Sequence, residues 1–172
     1  MICRRTFVAG AVVGCLADAA QAADHLPPYL TTLRPLPIRL RNGSSSTIGQ
    51  QLTLGRAAVV SFWSTSYALC QSEARYLGRL RAETPNDDLD ILGINIDAQR
   101  TEINVNWFIE LTGAHYLHVY GDISTYQAFA GARSLRLPCL YVFGRFGEPI
   151  AEVRGYQRYQ ISRAVRAAIG SR

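Results

Sequence analysis

The chain has 172 residues, about half of them apolar, with 18 basic against 13 acidic side chains and a net charge of +5. That length fits one domain plus a leader and leaves room for a sizeable core. Every Lys/Arg position is arginine, which excludes lysine chemistry such as Schiff-base formation, and the arginines are spread along the chain without runs, which argues against a nucleic-acid surface.

Residues 1–22 read as an export signal. Arg4 and Arg5 supply the positive start, residues 7–16 an apolar stretch too short to span a bilayer, and Ala20-Gln21-Ala22 a small-x-small cleavage site. Cys3-Arg4-Arg5-Thr6-Phe7-Val8 resembles a twin-arginine export motif, although it lacks the lysine after the apolar pair. Val12-Val13-Gly14-Cys15 offers a second reading, a bacterial lipobox in which Cys15 is lipidated and anchors the protein to a membrane. Cleavage after Ala22 leaves Cys70 and Cys139 as the cysteines of the mature chain, in an oxidising compartment.

Residues 23–37 are proline-rich without periodicity and are expected to form an extended linker, with the domain occupying 38–172. A short strand is expected over 38–41, with a tight turn at Asn42-Gly43 that the serines 44–46 prolong. Residues 57–63 carry no charge and read as a central strand buried on both faces. After the polar turn Ser64-Thr65-Ser66 a helix is expected from about Cys70 to residue 83, with Cys70, Ala74, Leu77 and Leu80 on one face. A thiol at a helix start meets the first-turn amides and the helix dipole, so Cys70 is expected to lose its proton more readily than a free cysteine.

A strand is expected over 89–96. A helix follows over 101–112, with Ile103, Trp107, Phe108 and Leu111 inward and Gly113 as terminator. A short strand at 117–120 comes next, then a short helix capped by Ser124 and ending near Gly131. A strand over 137–143, a turn at 145–148, a pairing strand at 150–153 and a helix over 157–169 close the chain. Strands alternating with helices, then a hairpin and a last helix, predict an α/β domain with a mixed sheet and helices on both faces. His25, His115 and His118 show no metal-ligand spacing with the cysteines and are expected at the surface or at strand ends.

Several of these stretches also carry a resemblance. They are Val60-Ser61-Phe62-Trp63 before the helix, Gly93-Ile94-Asn95-Ile96-Asp97 at the next strand end, and the segment from Gly131 through Leu137-Pro138 before the penultimate strand. Their order and spacing resemble the thioredoxin fold, and within it the exported TlpA/ResA-type thiol–disulfide oxidoreductases. The resemblance covers roughly residues 36–170 and implies an N-terminal β-hairpin extension, a cis peptide at Pro138, and Trp63, Tyr67, Leu137 and Pro138 lining a substrate groove. It implies no cofactor and no metal. The partners it implies are periplasmic protein thiols or disulfides, or an extended polypeptide.

The departure falls at the chemistry. Where the family has Cys-x-x-Cys, this chain has Tyr67-Ala68-Leu69-Cys70, so Tyr67 stands in the place of the attacking cysteine. A tyrosine hydroxyl cannot replace a thiolate in thiol–disulfide exchange. Cys139, directly after Pro138, is a possible disulfide partner for Cys70. Strand alternation could instead turn it away as a buried apolar-like thiol. Two readings stay open: a redox protein acting through Cys70, and a non-catalytic binding or chaperone module that keeps the groove. Cys70-Gln71-Ser72-Glu73 also faintly resembles a peroxiredoxin site, but Trp63 and Tyr67 occupy the positions where that pattern needs proline and threonine. A copper site like that of the related Sco proteins would need two close cysteines and a histidine, and only Cys70 is available there.

Overall fold

Seven residues with no charge, Ala57–Trp63, form a strand in which every side chain is buried. In the computed structural model this strand is the middle of the molecule. The structure describes residues 33–98, 101–131 and 133–170. The expected leader with Cys3 and Cys15, the linker up to residue 32 and His25 lie outside the described residues.

In chain order the elements are β1 (Pro37–Leu40), β2 (Ser45–Thr47), α1 (Ile48–Gln51), β3 (Ala57–Trp63), α2 (Ala68–Glu83), β4 (Leu89–Asn95) and α3 (Glu102–Thr112). These are followed by β5 (Leu117–Tyr120), α4 (Ile123–Ala130), β6 (Cys139–Phe143), β7 (Pro149–Arg154) and α5 (Arg158–Gly170). The seven strands make one sheet in the order β2-β1-β5-β4-β3-β6-β7. β3, β4 and β5 run parallel, while β6, β7, β1 and β2 are antiparallel to their neighbours. The parallel crossovers use α2 and α3, as connections between parallel strands require. This is an α/β thioredoxin fold, a mixed sheet flanked by helices, with an N-terminal hairpin formed by β1 and β2.

Strand alternation sorts the core into two layers. Ala57 and Val59 pack with Tyr76 and Leu77 of α2 and with Ile161 and Val165 of α5. Phe62 turns to the opposite face, where its ring meets Tyr126 and Phe129 of α4 edge-on. α3 lies beside α2, its Phe108 stacked on Trp63 at 4.3 Å between ring centroids. Among the described residues, no helix is long and apolar enough to cross a membrane.

Several local expectations need correction. Residues 33–37 are packed and not free linker: Leu33 is buried, and the Arg34 guanidinium donates to the carbonyls of Gly49 and Leu52. Ser45 and Ser46 belong to β2 and pair with Arg39 and Ile38, because Asn42-Gly43 closes the hairpin without them. The cap of α4 is Asp122, whose carboxylate accepts from Thr125 N and from Ser124 Oγ, so Ser124 supports the cap and does not form it. α3 buries Val105, Phe108, Ile109 and Thr112. Ile103, Trp107 and Leu111, expected inward, are 78%, 59% and 43% exposed. This helix carries apolar residues on more than one face, and the i, i+3, i+4, i+7 set is the one that meets the sheet. Gly113, left-handed at φ 63°, terminates it as expected.

Candidate functional site

The site is built where β3 ends and α2 begins. Trp63 closes the strand, residues 64–66 turn, and Tyr67 is the N-cap of α2 with an extended backbone and no side-chain cap bond. Asp97, just beyond β4, holds this turn. Its carboxylate accepts from Ser64 Oγ, from Thr65 N at 3.1 Å, from Thr65 Oγ1 at 2.8 Å and from Asn95 Nδ2 at 3.0 Å. Burial pushes Asp97 up, but the bonds from Ser64, Asn95 and Thr65 together outweigh it and hold the carboxyl below its usual range.

Cys70 is the third residue of α2 and is 1% exposed. The expectation of an easily ionised thiol is overturned. Burial pushes its pKa up to about 12. A backbone group of Ser64 works against that rise, while the negative charges of Glu73 and Asp97 add to it. The loss of hydration on burial outweighs what the helix start gives the thiolate.

Directly beneath lies a residue that sequence reasoning passed over. Glu73 follows Cys70 by three positions, faces the sheet, and is buried. Ser61 Oγ of β3 donates to Glu73 Oε1 at 2.6 Å, while Oε2 is buried with no partner among the described residues. Burial pushes this carboxyl up to about 8, so near neutrality it is largely protonated, with the Ser61 bond pulling the other way. Tyr116 is close enough to feel the charges of Glu73 and Cys70, and burial with those charges raises its phenol well above the ordinary range. The signal was present as the i, i+3 spacing, but an acid in an amphipathic helix reads as a solvated residue.

His118 corrects another expectation. β5 is an interior strand and His118 is buried, its Nε2 bonded at 2.8 Å to Ala114 O. That bond fixes Nε2 as the donor and leaves Nδ1 as an acceptor. Burial pushes the ring down to about 4, so it is neutral at physiological pH. Its Nδ1 and Trp63 Nε1 are both buried without partners among the described residues, and both border the bare Cα of Gly93, where a Cβ would lie 2.7 Å and 3.1 Å from them.

The structure does not join the two cysteines. Both are free. Cys139 pairs with Phe62 across β6 and β3 and so shares its face, towards α4, whereas Cys70 hangs from α2 on the other. Cys139 is enclosed by a polar cluster. Glu152 Oε1 lies 3.9 Å from its sulfur and accepts from Tyr141 Oη and Arg154 Nε, and Arg133 pairs with Oε2. Burial pushes the Cys139 thiol up to about 11.

Leu137 and Pro138 form the loop before β6, with a cis peptide between them. Both are buried, and Gly155 N donates to Pro138 O at 2.7 Å. No hydrogen bond engages the Leu137 backbone among the described residues. Of the residues expected at the site, Trp63, Leu137 and Pro138 are buried, while Tyr67 is 53% exposed and stands with exposed Leu69 on the outer surface. Among the described residues no cluster of three or more histidine, cysteine or acidic side chains could hold a metal.

No protein family model and no curated protein matches the chain. Solved structures do. A thioredoxin-family thiol:disulfide interchange protein from Chlorobium tepidum superposes with a TM-score of 0.64 at 20% identity, over 79% of this chain and 96% of that one. A secreted Mycobacterium tuberculosis disulfide oxidoreductase, homologous to E. coli DsbE, gives 0.63 at 16% identity, over 79% and 98%. StoA from Bacillus subtilis gives 0.56 at 14%, over 75% and 94%. The chain is thus similar, over nearly the whole of those proteins, to thiol–disulfide interchange proteins of the thioredoxin fold.

Proposed function

We propose that this chain is an exported, TlpA/ResA-type thioredoxin-fold protein with a thiol–disulfide role carried by Cys70 alone, Tyr67 standing where the attacking cysteine would be. The observation that carries the reading is the buried carboxyl of Glu73, one helical turn from Cys70, with an oxygen that has no partner among the described residues. With its pKa raised to about 8, this carboxyl is part ionised at slightly alkaline pH, and the ionised form takes a proton from the thiol and returns it. A partner disulfide lies against Leu137, whose open backbone groups pair with an extended chain, and Tyr67 and Leu69 pack on its side chains. Movement of the Ser64–Tyr67 turn uncovers Cys70. Its sulfur attacks one sulfur of the disulfide, the S–S bond breaks, and a mixed disulfide forms. The proton passes from Cys70 through Glu73 to the leaving thiolate. With no neighbouring cysteine to resolve it, that mixed disulfide persists until an external thiol removes it.

Export is supported by the leader pattern of residues 1–22, and a neighbour in fold is described as secreted. The test is incubation of the purified protein with glutathione disulfide near pH 8, read by intact mass. One glutathione adduct on the folded protein, absent from Cys70→Ser, is expected. An adduct that forms only in urea would sink the redox reading.

One observation favours the second reading, a binding module without chemistry. The Cys70 thiol is enclosed and its pKa is pushed up to about 12, while the rim beside it presents exposed Tyr67 and Leu69. On that reading an extended polypeptide binds Cys70→Ser as tightly as the parent. The peroxidase reading needs a ready thiolate, which the same enclosure opposes.

A further inference from the structure

The far half of α2 and the end of α3 form a surface that the thiol site does not use. An open cleft of about 490 Å³ lies between the two helices, lined by Arg75, Arg79, Arg81, Leu111, Gly113 and His115 among others, and no acidic side chain lines it. Arg81 is committed to the carbonyls of Leu89 and Thr84. Arg75 and Arg79, one turn apart and exposed, have no ion pair or hydrogen bond among the described residues. Leu111 belongs both to this cleft and to the outward stripe Ile103, Trp107, Leu111 of α3. A cationic cleft therefore runs into a convex apolar ridge with an indole at its centre.

We propose that this face docks on an anionic phospholipid surface. Arg75 and Arg79 contact the headgroup phosphates, and Ile103, Trp107 and Leu111 enter the boundary between headgroups and acyl chains. An apolar ridge flanked by guanidiniums is the arrangement of helices that lie in a membrane interface, where tryptophan is favoured. Charge complementarity selects the lipid: each arginine held at an anionic leaflet adds to binding. A second copy of this chain fits poorly, since a two-fold contact buries the same patch twice and the cleft lining holds no acid to meet its arginines. Glu83 and Glu110 are on the same helices but outside the cleft lining.

The test compares the full chain with its Arg75→Glu/Arg79→Glu and Trp107→Phe variants, so that any contribution of the N-terminal residues is common to all. All three substitutions are at exposed positions, and circular dichroism checks their folds. Sedimentation with vesicles containing phosphatidylglycerol is expected, weakened about tenfold or more by the charge reversal. A blue shift of tryptophan emission should accompany binding and be absent from Trp107→Phe, because Trp63 is already buried. Equal binding of parent and charge-reversed chains, or equal binding to vesicles of phosphatidylcholine alone, overturns the proposal. So does capture by poly-glutamate without binding to vesicles, which would assign the face to an acidic polypeptide.

Discussion

Ser61 Oγ donates to Glu73 Oε1 at 2.6 Å beneath α2, tying the helix that carries Cys70 to the central strand through a carboxyl whose other oxygen has no partner among the described residues. The bond places an acid where an apolar side chain would be expected. Its consequences are measurable in pH, in thiol reactivity and in stability.

The pH dependence of stability has a definite sign. Glu73 binds its proton more tightly in the folded chain, with its pKa at about 8 against 4.5 unfolded, so its contribution is full below 4.5 and is lost as pH rises through 8. His118 runs the other way, with its folded value near 4 against 6.5, so its contribution grows as pH rises from 4 to 6.5. The two offset each other below pH 6.5, and above it the Glu73 effect stands alone of the pair. The thermal midpoint is therefore expected to fall between pH 6.5 and 8. Glu73→Gln, whose amide oxygen still accepts from Ser61, should flatten that fall in a calorimetric pH series.

Native thiol reactivity should be low. Both Cys70 and Cys139 are enclosed, with pKa values pushed up to about 12 and about 11. Iodoacetamide at pH 8 is expected to modify neither at more than about one hundredth of the rate in urea, since each unit of pKa removes tenfold of thiolate. Time-resolved intact mass measures both rates. A fast Cys70 in the folded protein would mean that the turn before α2 opens readily.

The Glu152 side chain is only 6% exposed, held between Arg133 and Arg154. Glu152→Ala removes the carboxylate from two guanidiniums that water partly reaches and should cost about 1.5–3 kcal/mol in urea unfolding. It should also remove the acid beside the Cys139 sulfur and lower that thiol's pKa, a change visible in its alkylation rate against pH.

Asp97→Ala removes the acceptor for Ser64, Thr65 and Asn95 at once. A loss of about 2–3 kcal/mol is expected, together with faster alkylation of Cys70, because the turn over the thiol loses its anchor. Asp97→Asn, able to accept some of these bonds, should lie between the two.

Tyr67→Cys restores a Cys-x-x-Cys start to α2. The position is more than half exposed, so the change costs little in stability, and insulin reduction with a dithiol donor should become measurable. A folded but inactive variant would mean that the groove, and not only the motif, has departed from disulfide chemistry.

The central strand, the order of the elements from β3 onward and the place of Cys70 could be read from the sequence, because an uncharged run such as 57–63 and a Gly113 stop have few other uses; the short β2 and α1 could not. The inward face of α3 could not be read. Ile103, Trp107 and Leu111 keep helical spacing as well as Val105, Phe108 and Ile109 do, and only the sheet beneath decides between them. Glu73 and His118 were hidden for a related reason. Their burial depends on partners remote in sequence, Ser61 for one and the strands flanking β5 for the other. The state of Cys70 followed from that burial and not from its position in the helix.

Gly78 lies against the backbone at Gly113, so near that a Cβ there would collide with the Gly113 carbonyl and crowd Ala114 Cα. That contact works as a fulcrum. Past its midpoint α2 is pinned to the end of α3, backbone on backbone, while its first turn at Tyr67 has no side-chain cap to hold it. A motion of α2 that helps uncover Cys70 is therefore a lifting of the long arm of a lever, and a methyl group at position 78 would strain the pivot without touching the thiol.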